Sequence, residues 1–105
     1  MTLQQFESEL KKSCTAPVYQ LAAAKGVHRY VVWNIYGYSS AYSDDRNQIN
    51  APKVQIDIHT QSLSDTLVDE VFSALWLLDL PFTVESEGYD DDYNDIRTIL
   101  QLVVI

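Results

Sequence analysis

The sequence has one cysteine, three glycines, three prolines and only seven basic residues in 105. A lone thiol, Cys14, excludes an internal disulfide framework, and a plain reduced thiol is a simpler expectation than pairing between chains. Three glycines far apart supply neither a dinucleotide fingerprint nor a phosphate-cradling loop, and no paired-cysteine metal motif is present. Seven basic against fifteen acidic residues give a net charge of −8. Such a surface repels phosphate backbones and anionic lipid, so sequence-specific nucleic-acid binding and membrane association are disfavoured. No run approaches the ~18 apolar residues of a bilayer span. The first dozen residues carry Glu7, Glu9, Lys11 and Lys12 rather than a basic start and an apolar run, so no secretory leader is expected. The chain reads as soluble and intracellular.

Apolar residues make up 47% of the chain, enough for one core. A chain of this size buries ~65% of its unfolded surface, which suits a single domain over 1–105. Thr2-Leu3-Gln4-Gln5 fits a capping box, and Leu3, Phe6 and Leu10 at helical spacing predict a helix over 3–12. Ala16-Pro17 breaks it. Residues 18–25 fit a strand or a helical turn equally, ended by Gly26. The β-branched and aromatic run 30–36 predicts a central strand. Residues 37–51 are rich in turn-formers and predict a long loop. Val54, Ile56 and Ile58 alternate with Gln55, Asp57 and His59, a strand with one buried and one wet face that pairs antiparallel with 30–36. A helix is predicted over 63–78, with Leu63, Leu67, Val71, Ala74 and Leu78 along one side and Pro81 stopping it. Strands follow at 82–87 and 97–104, with an acidic turn over 88–95 between them. The order α-β-β-α-β-β points to an α+β fold, a mostly antiparallel sheet of about four strands packed by two helices.

Little in this pattern performs chemistry. His59 and Asp57 stand two apart on one strand face, within reach of each other. Neighbouring polar residues on a wet face account for them more simply than a catalytic pair does. Asp90, Asp91, Asp92 and Asp95 concentrate four carboxylates in six residues. The spacing is not that of a calcium hand, so a solvated turn is expected there rather than a metal site. Neither a catalytic residue, nor a metal, nor a cofactor is assigned, and the protein is not expected to be an enzyme. The tyrosines are more informative. Tyr36, Tyr38 and Tyr42 crowd the first loop, and Tyr89 and Tyr93 the second; exposed tyrosines supply contact area at low entropic cost and are enriched at interfaces.

Pro17-Val18-Tyr19, Tyr30-Val31-Val32-Trp33, Val54 through Thr60 with the helix after Ser62, and Arg97 through Leu102 together span nearly the whole chain. In that order they resemble the tail-completion, or tail-terminator, proteins of long-tailed bacteriophages and related prophages. The resemblance implies a non-catalytic virion assembly protein that forms a ring, usually of six subunits, on the last ring of tail-tube protein. Such a ring ends tube polymerisation and offers a head-tail joining surface to the connector protein. It implies a place in the host cytoplasm during assembly and in the virion tail afterwards. On this reading Tyr38, Tyr42, Asp44, Asp45 and Arg46 are candidates for contact with the tube or a neighbouring subunit. Tyr89, Asp90, Asp91, Asp92 and Tyr93 form a second candidate contact. The carboxylate surplus suits a channel through which DNA slides without sticking. Arg97 is expected to anchor the acidic turn within its own chain. The alternative is a small non-enzymatic protein-binding module or regulator using the same tyrosines.

Overall fold

The computed structural model describes residues 1–42 and 48–104, with the side chains of 40–42 and 48–50 excepted. Among the described residues the order is α1 (Leu3–Ser13), β1 (Val18–Gln20), β2 (Tyr30–Tyr42), β3 (Gln48–Thr60), α2 (Leu67–Leu77), β4 (Phe82–Asp90) and β5 (Asp95–Val103). The α+β class matches the expectation, but the sheet has five strands and is mixed, in the order β1-β2-β3-β5-β4. The added strand is β1, which runs parallel to β2 from Val18↔Val31 to Gln20↔Trp33. All other pairings are antiparallel. The strand reading of 18–25 therefore holds for three residues only. Leu21 and Gly26 then take positive φ, 74° and 80°, as the chain doubles back. Gly26 does so without steric cost, whereas Leu21 bears the strain of a side chain in that region.

Helix α1 begins with the expected capping box: the Gln5 amide donates to the Thr2 hydroxyl at 3.0 Å and the Thr2 amide to Gln5 Oε1 at 2.9 Å. Phe6 and Leu10 are fully buried, and the Phe6 ring meets Trp33 edge-on at 5.4 Å. The Trp33 indole donates to Glu7 at 2.9 Å, which fixes the helix to β2. Both helices pack on the sheet face that carries Val31, Trp33, Val54, Ile56, Ile58, Leu100 and Leu102. Period-two alternation leaves Asn34, Gln55, Asp57 and Gln101 on the other face.

Helix α2 is shorter than predicted. Residues 62–66 form a turn in which the Asp65 carboxylate accepts from the Leu67 amide at 2.9 Å, so Leu63 lies outside the helix and is 79% exposed. Leu67, Val71, Ala74 and Leu75 fill the core, while Trp76 points outward. The helix ends before Pro81. Asp79 adopts φ 57°, its amide donates to Trp76 O at 3.0 Å, and the Leu80 amide donates to Leu75 O at 2.9 Å. These two bonds are a Schellman closure, with buried Leu80 and Leu75 as its apolar pair.

The predicted loop over 37–51 is the main correction. Strand β2 continues to Tyr42 and β3 begins at Gln48, in a register from Gly37↔Lys53 through Tyr38↔Pro52 and Ser40↔Asn50 to Tyr42↔Gln48. Strand β5 pairs with β3 no further than Lys53↔Val103, apart from one bond from the Val104 amide to Pro52 O. Residues 38–42 and 48–51 thus extend past the sheet as a two-stranded arm. Serine and asparagine disfavour strands only mildly, and an antiparallel ladder already aligned by 30–35 and 54–59 runs on through them. A bulge between Ile35 and Gly37 marks where the arm begins. The acidic turn is likewise shorter than predicted, since Gly88, Tyr89 and Asp90 belong to β4 and Asp95 opens β5.

Candidate functional site

The two candidate contact regions lie at opposite ends of the sheet. Strand β3 starts at the arm and finishes at Thr60 against Ile96, beside the β4–β5 turn. The molecule measures 49 × 26 × 23 Å along its principal axes, so these ends are far apart. On the arm, Tyr38 is 63% exposed. Tyr42 ends β2, its side chain outside the described set, and Asp44, Asp45 and Arg46 lie outside the described residues.

The other end gathers the second group. Tyr89, Asp90, Asp91 and Asp92 line an open groove of about 510 Å³ together with Ser86, Gly88, Arg97 and Ile99. The groove follows from local chain chemistry. Asn94 takes φ 53°, a conformation that asparagine tolerates, and lets four residues join Asp90 to Asp95. Asp90 accepts from the Asp92 amide at 2.9 Å, and the Tyr89 hydroxyl donates to Asn94 Oδ1. Arg97 donates through Nη1 to Asp90 at 3.3 Å and through Nη2 to Asp57, so it anchors the acidic turn within its own chain. Partial desolvation pushes the Asp90 carboxyl up, but the Asp92 and Tyr93 amides and the Arg97 guanidinium outweigh it and hold it below the ordinary carboxylate value. Asp57 is thus the partner of Arg97 rather than of His59.

Beneath this turn His59 departs from its sequence reading as a wet-face residue. It is 3% exposed, and its Nδ1 donates to Asp95 Oδ2 at 2.8 Å. Tyr30, its direct partner across the ladder, stacks on the imidazole at 4.5 Å, and Tyr93 meets the same ring edge-on at 5.1 Å. Arg97 lies over the Tyr93 ring at 5.7 Å. Burial first, and then the nearby Asp95 carboxylate, push the Tyr30 hydroxyl above its usual value. Two tyrosines and an arginine thus roof the open face at this one point and bury a histidine that alternation alone places in water. Asp95 sits on a strand 36 residues from His59, so only the β3–β5 register brings the two together.

Sequence reading also missed a polar tie on the helix face. Arg29 donates to Asp65 through Nε at 2.8 Å and Nη2 at 2.9 Å, with Glu70 3.6 Å away. Glu70 accepts from the Thr15 amide at 2.7 Å and from the Thr15 and Thr66 hydroxyls. This network joins the segment after α1 and the residue before β2 to the start of α2. Beside it, burial and then Glu70 push the Cys14 thiol up to about 11, which keeps it protonated and unreactive at neutral pH. Among the described residues no three histidine, cysteine, aspartate or glutamate side chains are placed to hold a metal ion. No helix among them is long and apolar enough to cross a membrane.

Exposed apolar groups cluster at a third place. Trp76 is 66% exposed and Leu77 75%, and the Trp76 ring lies 6.4 Å from Phe82 and 6.0 Å from Phe72. A comparison with protein-family models and with curated protein sequences finds no match for this chain.

Proposed function

We propose that this protein is a structural subunit of phage or prophage tail assembly, one that caps the tail tube as a ring, ends its polymerisation and offers the head-tail joining surface. The observation that carries the reading is the two-stranded arm past Gly37 and Lys53, set at the far end of the body from the acidic Tyr89–Tyr93 turn. A ring subunit contacts different proteins above and below, and this elongated body presents a different surface at each end. The tyrosines at both ends suit protein contacts. His59 and Asp95 suit a positioning role, because the pair is buried under Tyr30 and Tyr93. Six carboxylates and no basic residue over 82–95 suit a surface past which DNA slides without adhering.

The deciding experiment incubates the protein with polymerising tail tubes and images the tips. Rings at the tips and arrested elongation are expected. Bare tips with unregulated length sink the reading. The alternative, a protein-binding module for another partner, is favoured by one observation, the exposed Trp76 and Leu77 beside Phe82. Bare tips combined with a gene that has no tail-tube gene beside it would move the assignment there.

A further inference from the structure

A cavity of about 210 Å³ lies on the helix side of the sheet, between the start of α2 and the β4–β5 ladder. Three carboxylates line it, Asp65, Asp69 and Glu87, and no basic side chain does. Asp65 is already matched by Arg29, at 2.8 and 2.9 Å. Among the described residues the Asp69 and Glu87 carboxylates have neither an ion pair nor a hydrogen bond. Exposed carboxylates are ordinarily satisfied by water, so these two alone point to no ligand.

Thr98 does. It is 1% exposed, faces the helix side together with its ladder partner Ile58, and lines this same cavity. Its hydroxyl has no hydrogen-bond partner. A buried hydroxyl left unpaired costs free energy that valine, of the same shape, avoids. A donor seated in the cavity supplies what the hydroxyl lacks. The apolar part of the wall comes from Val68 and Phe72, both packed against the core. A divalent metal takes roughly six or more oxygens and has no use for that wall. Nor are three histidine, cysteine, aspartate or glutamate side chains placed to hold one among the described residues. An ammonium group carries three N–H donors and no acceptor, so two carboxylates and a hydroxyl match it in both charge and hydrogen bonding. Methylenes behind it lie against Val68 and Phe72. We propose that this cavity binds a primary alkylammonium group, supplied either by a free amine or by a lysine side chain of another protein. The inference goes beyond the ring reading and does not rest on it.

The test follows the backbone amide resonances of the whole protein as n-butylammonium chloride is added. Saturable shifts are expected at Val68, Phe72, Glu87 and Thr98. Sodium chloride at the same ionic strength and neutral n-butanol should not produce them. An Asp69→Asn, Glu87→Gln variant, altered only at exposed positions, should lose at least about tenfold in affinity. Thr98→Val should bind about threefold to tenfold more weakly and yet melt no lower than wild type, a combination that a merely structural hydroxyl does not give. A capped peptide with a single lysine separates the two sources. Binding at least about tenfold tighter than butylammonium assigns the site to a protein's lysine, and equal or weaker binding assigns it to a free amine. Either result upholds the ammonium site. Shifts that salt or butanol reproduces, or that persist unweakened in the Asp69→Asn, Glu87→Gln variant, overturn it. So does a Thr98→Val protein that binds as tightly as wild type or melts below it.

Discussion

Asp79 occupies the position after α2 with φ 57°, where glycine carries no steric penalty and aspartate does. Its own backbone amide closes the Schellman motif, so the side chain is dispensable there. Asp79→Gly is expected to stabilise the fold by roughly 0.5–1 kcal/mol, read as a higher urea midpoint at unchanged slope. Asp65 works in the opposite direction. Its hydrogen bonds from Arg29, with help from the Leu67 amide, hold its carboxyl below the usual value, though partial burial opposes them. A depressed folded value means the stabilisation is present above the unfolded value near 3.8 and is lost as pH falls through the folded one. Asp65→Asn should cost roughly 2 kcal/mol at neutral pH. The gap between variant and wild type should close only on acidification below about pH 4. Unfolding curves across that window check both statements.

The arm is the element whose role is easiest to isolate. Residues 38–42 and 48–51 pair with each other, and the side chains described there, Tyr38, Ser39 and Ala51, are not among the buried core residues. Replacing residues 40–50 by Asn-Gly, which favours a tight hairpin turn, should leave the unfolding free energy within about 1 kcal/mol of wild type. The same variant should no longer bind tube tips. A body that unfolds on this excision would show that the arm is structural, and intact tip binding would show that it is not the tube contact. Element boundaries elsewhere were legible where a local signal existed. The capping box located α1, alternation located Val54 to Ile58, and Pro81 marked the neighbourhood of the α2 terminus. The start of α2 was misplaced because Leu63 fits the helical period and nothing local to it records that Asp65 caps the turn instead.

As a whole, the molecule is a single sheet buried on one face by two helices. Ile56 lies at its centre, fully buried and paired with Trp33 on one side and Leu100 on the other. Ile56→Ala should therefore cost roughly 3–5 kcal/mol and lower the midpoint of one cooperative transition. Separate transitions for the two halves of the sheet would contradict a single core.

Composition and periodicity alone determined the α+β class, the two helices, the pairing of β2 with β3 and the acidic character, since each rests on residues near one another in sequence. Tertiary structure decided the rest. The His59–Asp95 pair joins residues 36 apart, the Arg29–Asp65–Glu70 tie joins the start of β2 to that of α2, and the arm exists because a ladder begun elsewhere continues through weak strand formers. Burial and pairing at those positions depend on which strands lie side by side, and local propensity carries no information about that neighbourhood.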